Sequence, residues 1–596
     1  MKLDKRKLII LLFPLLILLV FEYPYYCFNS SIIISLLIIY SIYFILLSIL
    51  KKVKIAVLLM GILIFFMQII NIGKIHFIGD PLYMTDIFYT GDMSEILNLI
   101  KDDLGNTVLI LLPKILIILL IVILIIVFSY KINIIVKNNK KRITIFSISF
   151  IIMLFLFLPI SFSNKFILKI FYSDDSYLNK ITIDSGDDYY KTYGHLSGMY
   201  GNLLETRVFE PDNYDRDNIT KIVQNSKKES DNTFRKPNII VIFSESFFDI
   251  SKIDEVKFDK DITSNYHRLK EVGLSFEMIA PFYGGMSANV EYEFLTGGST
   301  NYYSSSYVPY MELYNSDKYY NAPSIISELR NNDYYTKIVA YYSPKLYNCG
   351  RVYKYMGVDD VDFITDVDDK YIKGQYVSDK YVVDNIISEL ENKKDGSLFY
   401  MTMTMQSHMP YLISKYDNYD IDIVSSSLDS KYNDSLKSYA QGIYDADMEL
   451  GRLYDYINTL DEDTIIVFYG DHLPYLEAFN YMDYFNTSDE KTNILRKYNT
   501  ESLIVANFDI SSLKKENLKY LDADLLSSYI INHMNIVVSD YYRWLYSTRN
   551  IIGASNRYIT IDQDDYIHYT NKLSGKQSEL NNLRRNVQYR YFHDIK

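Results

Sequence analysis

The chain has 596 residues, too many for one ordinary domain, and 49% of them are hydrophobic and unevenly distributed. A formal net charge of -12 excludes a general binder of nucleic-acid backbones, which needs a lysine and arginine surplus. Two cysteines, Cys27 and Cys349, exclude a disulfide framework, and the 59 tyrosines read as the coding bias of an AT-rich genome.

Nearly all long uncharged runs precede residue 165. Five of them predict membrane-spanning helices: Leu8 to Phe28, Ile32 to Leu50, Ile55 to Ile72, Thr107 to Phe128 and Ile143 to Ser163, each near the roughly 20 apolar residues a bilayer requires. The run Leu8 to Phe21 follows Lys5, Arg6 and Lys7 and could be a secretory signal, but no small-residue cleavage site follows it and four more spans do. Basic residues collect before the first span, at Lys51, Lys52 and Lys54, and at Lys137, Lys140, Lys141 and Arg142. Such clusters stay cytoplasmic, so the N-terminus is expected inside and everything beyond residue 165 outside. Within the cores of the spans Lys114 is the one charged residue, so they read as an anchor and not as a conduit. The expected division is a transmembrane domain over 1–165, a polar juxtamembrane linker over 166–235 and an extracellular catalytic domain over 236–596. The linker carries Asp174, Asp175, Asp184, Asp187 and Asp188 and the run Asn225 to Asn232.

From Pro237 short apolar runs alternate with longer helical segments, which predicts an α/β domain with a largely parallel central sheet. Asn238 to Phe243 reads as a buried strand with Glu245 just beyond its C-terminal end, and Thr464 to Tyr469 as another that ends in Gly470-Asp471-His472. Ligands of open α/β sheets bind at that edge. If the two strands are neighbours, Glu245, Asp471 and His472 meet there as ligands for a divalent cation of the Mn, Mg or Zn kind, with oxygen donors favouring Mn or Mg. In the block Gly284-Gly-Met-Ser287-Ala-Asn-Val-Glu-Tyr-Glu-Phe-Leu-Thr-Gly297 a helix is expected to start near Ser287, where free N–H groups attract an anion such as phosphate. A cation beside Ser287 would make its hydroxyl a nucleophile; alternatively Ser287 only caps the helix. Glu291 and Glu293 are expected on the helix surface or tying down a loop. His408, after an apolar run from Leu398, is a candidate general acid or a histidine satisfied in a turn.

Taken in order, the motifs Phe243-Ser-Glu245-Ser-Phe, Gly-Gly-Met-Ser287-Ala-Asn-Val-Glu-Tyr-Glu, Thr-Met-Gln-Ser-His408-Met-Pro-Tyr and Tyr-Gly-Asp471-His472 resemble the lipoteichoic acid synthase family. These are membrane phosphoglycerol transferases of the alkaline phosphatase and sulfatase superfamily, also with five N-terminal spans. The resemblance implies one divalent ion, Mn foremost with Mg or Zn as alternatives, held by Glu245, Asp471, His472 and Ser287. It implies Ser287 as nucleophile where the family has threonine, Arg351 binding substrate phosphate, and His408 beside the substrate as catalytic acid. The implied reaction moves phosphoglycerol from phosphatidylglycerol onto a glycolipid or polymer at the outer face of a Gram-positive-type cell membrane. Tyr342 and Cys349 depart from the family pattern of a histidine and an aromatic residue, which leaves other head groups such as phosphoethanolamine open. A hydrolase using water and a membrane receptor built on a retired enzyme are the remaining alternatives. Sulfate esters fit poorly, because Ser287-Ala-Asn-Val-Glu lacks the proline and arginine of a Cys/Ser-x-Pro-x-Arg context.

Overall fold

The apolar runs of the first part fold as helices: α1 (Lys5–Phe21), α2 (Ile32–Leu50), α3 (Val53–Ile78), α4 (Leu104–Ile132) and α5 (Asn139–Phe157). The structure is a computed structural model that describes residues 5–26, 29–78, 81–84, 86, 104–132, 134–158, 167, 186–205, 208–226, 235–304, 307–314, 316–428, 430–476, 487–515 and 518–595. The chain falls into two compact units, 1–209 with 303–307, and 210–302 with 308–596.

Among the described residues of the first unit, three stretches are long and apolar enough to cross a membrane: Ile32–Leu50, Val53–Ile75 and Leu111–Lys131. The apolar stretch of α1, Leu8–Phe21, is shorter. The helix stops at Phe21, ahead of the expected Phe28, and a turn over Glu22 to Pro24 follows it. Its last carbonyls, which helix geometry leaves without partners, accept from the buried amide of Gln68 at 3.0 Å (Val20 O) and 2.6 Å (Phe21 O). α5 starts a turn before the expected Ile143, where the Asn138 side chain accepts from Lys141 N at 3.0 Å; residues 159–163 of that expected span lie outside the described residues. Ile117, Leu120 and Leu124 on α4 are exposed, as on a helix whose solvent is lipid. The described parts of 166–235 form helices Gly186–Tyr193, His195–Glu205 and Arg216–Gln224, and Tyr189, Tyr190 and Tyr200 are fully buried. Asp174, Asp175 and Asp184 and residues 227–234 lie outside the described residues.

The second unit is built on eight strands: β1 (Asn238–Ser244), β2 (Leu274–Ile279), β3 (Tyr335–Ala340), β4 (Asp360–Phe363), β5 (Leu398–Met403), β6 (Thr464–Gly470), β7 (Asn499–Ala506) and β8 (Tyr520–Asp522). They form one sheet in the order β8-β2-β7-β6-β1-β5-β3-β4. All neighbours are parallel except at β7, which runs against both β6 and β2. β1, β5 and β6 are buried at every position, the continuous apolar pattern of parallel strands covered on both faces. β1 and β6 pair in register from Asn238↔Thr464 to Ser244↔Gly470, which brings the next residues, Glu245 and Asp471, to the same level at the C-terminal edge. Among the helices, α6 (Ser287–Thr296) begins close to that edge, and α7 (Cys349–Met356), α8 (Asp379–Asn392) and α9 (Asn433–Ile457) follow in the chain.

The close approach at this edge needs a glycine. A Cβ at Gly470 would lie 2.2 Å from the Phe247 carbonyl oxygen, a backbone atom that cannot swing aside. Gly470→Ala is therefore expected to lower stability by about 1–3 kcal/mol, the cost of overpacking. Thermal melting of the full chain tests this, and an unchanged midpoint would refute the proposed crowding.

Candidate active site

Glu245, Asp471 and His472 are all buried, with one ligand atom of each lying within 4.8 Å of the others. His472 Nδ1 is 2.9 Å from the Leu473 carbonyl oxygen, which can only accept, so Nδ1 carries a hydrogen and Nε2 is the nitrogen that a cation could use. That Nε2 faces Asp471 Oδ2 at 3.2 Å and Glu245 Oε1 at 3.9 Å. The backbone aims the carboxylates. Asp471 Oδ1 accepts from Ser246 N at 2.7 Å and from His472 N at 2.9 Å, and Ser246 Oγ donates to Glu245 Oε1 at 2.8 Å. Thr404, just past β5, receives the Glu245 N–H at 3.2 Å.

Ser287 is the first residue of α6. The position before it is Met286, in the left-handed region at φ 69° with no side-chain cap, so the serine does not cap the helix. Its hydroxyl donates to Asp471 Oδ2 at 2.6 Å and lies 3.4 Å from His472 Nε2. Ser246, beside Glu245, is also left-handed at φ 53°. A non-glycine residue held there costs about 1–3 kcal/mol, a strain typical of residues that a site over-determines.

The residues fit a divalent cation. Glu245 Oε2 is buried with no hydrogen-bond partner, and two buried carboxylates, an imidazole nitrogen and a hydroxyl converge on one place. Burial, and secondarily the Asp471 charge, push the Glu245 carboxyl up to about 8, against the pull of His472, Ser246 and Lys415.

His408 follows β5, next to β1 in the sheet, and is half-buried. Its Nδ1 is 3.0 Å from the Met409 carbonyl oxygen and 3.1 Å from the Tyr376 hydroxyl. Arg351, on α7, is exposed and forms no hydrogen bond or ion pair among the described residues, so its guanidinium is available to an external anion.

Of the two alternatives for Glu291 and Glu293, the helix surface is excluded, since both are buried inside α6, and the loop tie holds for Glu293. Glu293 accepts from Thr300 N and Oγ1, both at 2.6 Å, and so ties down the following loop. Glu291 accepts from Tyr353 at 2.6 Å, Tyr310 at 2.8 Å and Tyr342 at 3.4 Å. Burial pushes Glu291 upward, and these phenols pull it back. Tyr342 thus belongs to a tyrosine cluster that links the serine's helix to the arginine's helix. Lys415 was overlooked: buried, it is ringed by Tyr376, Tyr411 and Tyr416 at 5.6, 5.4 and 5.5 Å from their centroids. The one available signal was the tyrosine-flanked lysine of Tyr411 to Tyr416, masked by treating every tyrosine as coding bias.

A pH dependence follows from Glu245. Its folded value near 8 lies above its ordinary 4.5, so in the metal-free protein its contribution to stability is complete below about 4.5 and is lost as pH rises through about 8. A cation takes the place of that proton, so Mn²⁺ is expected to raise the melting temperature more at pH about 8 than at pH about 6. Glu245→Gln should flatten the difference. Equal Mn²⁺ shifts at both pH values in the unsubstituted protein would contradict this electrostatic picture.

A Rhizobium meliloti (strain 1021) protein named for cyclic beta-1,2-glucan modification is 29% identical over 289 residues, 48% of this chain and 44% of its own. The capsular polysaccharide biosynthesis protein RkpI of the same strain is 24% identical over 250 residues, 41% of this chain and 42% of its own. The chain therefore spans less than half the length of these curated relatives. Among solved structures, Streptococcus pyogenes phosphoglycerol transferase GacH, in complex with sn-glycerol-1-phosphate, matches with a TM-score of 0.51 and 22% identity over 65% of this chain and 99% of that one, a likeness of fold. Residues 237–536, half of the chain and including Glu245, Ser287, Asp471 and His472, match the Sulfatase family, and the chain belongs to that family.

Proposed function

We propose that this chain is a membrane-anchored, metal-dependent transferase that moves a phosphoglycerol group from phosphatidylglycerol onto a cell-surface glycolipid or polymer. The observation that carries the reading is the Ser287 hydroxyl 2.6 Å from Asp471 Oδ2, at a helix start and beside a buried carboxylate oxygen with no partner. The absence of a proline and an arginine after Ser287 turns the reading away from sulfate esters. GacH, by name a phosphoglycerol transferase, shares the fold, and the names of both curated relatives concern polysaccharides, which supports a glycan acceptor. The anchor is read as five spans with the N-terminus cytoplasmic and the catalytic domain outside, next to donors in the outer leaflet.

When bound, a divalent ion held by Glu245, Asp471, His472 and Ser287, Mn²⁺ foremost, would supply Lewis acidity, so that the serine hydroxyl loses its proton to solvent and phosphoryl charge is neutralised. Ser287 Oγ then attacks phosphorus at the N-terminus of α6, and the P–O bond to diacylglycerol breaks. His408 gives its proton to the departing alkoxide, and the exposed Arg351 binds the phosphoryl oxygens as a two-pronged donor. In the second half His408 takes the proton of an acceptor hydroxyl, whose oxygen displaces Ser287 from phosphorus.

Release of fluorescent diacylglycerol from phosphatidylglycerol by the full chain in detergent with Mn²⁺ tests the reading. Ser287→Ala should lose at least about a thousandfold, as expected for a nucleophile that acts as a unit with its neighbours. Release that persists in Ser287→Ala would defeat it. Turnover of phosphatidylethanolamine but not phosphatidylglycerol would move the head group to phosphoethanolamine. Arg351→Lys keeps the charge and loses the fork, and is expected to cost about tenfold or more in kcat/KM. Unchanged kinetics would remove Arg351 from the phosphate site.

A further inference from the structure

Two side chains outside the serine and carboxylate group converge on His408. The Tyr376 hydroxyl donates to the Met409 carbonyl oxygen at 2.8 Å, so its oxygen is left to accept from His408 Nδ1 at 3.1 Å. The same Nδ1 is 3.0 Å from that carbonyl, which can only accept. Both contacts require a hydrogen on Nδ1, so Nε2 is the nitrogen whose protonation can change. From the other side the Lys415 ammonium donates to the backbone carbonyl of His408 itself. Lys415 has little freedom to leave, because it is buried among three tyrosine rings and one of them, Tyr376, is the residue that holds the imidazole. Ring and backbone of His408 are thus fixed by two residues in contact with each other, Lys415 and Tyr376.

We propose that Tyr376 and Lys415 are positioning residues that clamp His408 as the Nδ1–H tautomer, so that its Nε2 exchanges the proton with the leaving and incoming alcohol oxygens. The inference rests on the transfer reading above, in which His408 is the acid and base. Neither residue needs to touch substrate. Their work is to remove the ring flip and the wrong tautomer from the population of His408, which affects the chemical step and not donor binding.

The test is a double-mutant cycle on the full chain in detergent with Mn²⁺ and fluorescent phosphatidylglycerol. Tyr376→Phe keeps the ring and removes the hydroxyl, and is expected to lower kcat about tenfold with KM unchanged. His408→Gln is expected to lower kcat by about a hundredfold or more, the range of general acid–base catalysis. In the His408→Gln background Tyr376→Phe should then cost nothing further, because there is no tautomer left to hold. Lys415→Met keeps the stem and removes the donor, and should show the same loss of effect in that background; should it fail to fold, the tyrosine cycle decides alone. Losses that multiply, or a Tyr376→Phe change that appears in KM, would overturn the clamp while Ser287-dependent release stands. If the unsubstituted protein shows no Ser287-dependent release, the transfer reading falls, and the role given to His408 falls with it.

Discussion

Two carboxylates side by side in a dry place are the constraint on which the second unit turns. Parallel pairing in register puts Glu245 and Asp471 level at the sheet edge, and Gly470 lets the backbone after β1 close over the end of β6. Burying like charges is unfavourable unless a proton or a cation is shared between them. The protein answers with four N–H and O–H donors, from Ser246, the His472 backbone and Ser287, and with an imidazole whose Nε2 is turned inward. It leaves one buried oxygen of Glu245 without a partner. A site of this kind fits a divalent ion.

The remaining parts take their places from that edge. α6 starts with Ser287, whose hydroxyl is held by Asp471, and its interior carries Glu291, bonded to Tyr353 on the helix of Arg351. One hydrogen-bonded cluster therefore relates the serine's helix to the arginine's. β5, on the other side of β1, delivers His408, and Tyr376 and Lys415 hold it there. The parallel sheet supplies rigidity; the loops after its strands supply chemistry.

Much of this was legible in the sequence, for definite reasons. Asn238 to Phe243 and Thr464 to Tyr469 are short continuous apolar runs of the kind a doubly covered strand carries, and the polar residues that close them meet at one edge because the strands are parallel neighbours. Gly284 to Met286 announced the helix start at Ser287. Less legible were features set by tertiary contact alone. The burial of Glu291 goes with tyrosines outside its own helix, and nothing in the local pattern of α6 marks its carboxylates as interior. Lys415 reads as a surface lysine until Tyr376 is folded against it. The end of α1 at Phe21 is not legible because hydropathy runs on through Tyr23 to Phe28, while the last carbonyls of the helix are claimed by Gln68, distant in sequence.

The most direct test of the account is to look for the covalent serine. The full chain, loaded with Mn²⁺, is mixed with phosphatidylglycerol labelled in the glycerol head group and no acceptor, quenched in acid and digested, and the label is located by mass spectrometry. The account predicts a glycerophosphoryl group on Ser287 and on no other residue. Labelled product that accumulates while Ser287 stays unmodified throughout the time course would contradict it.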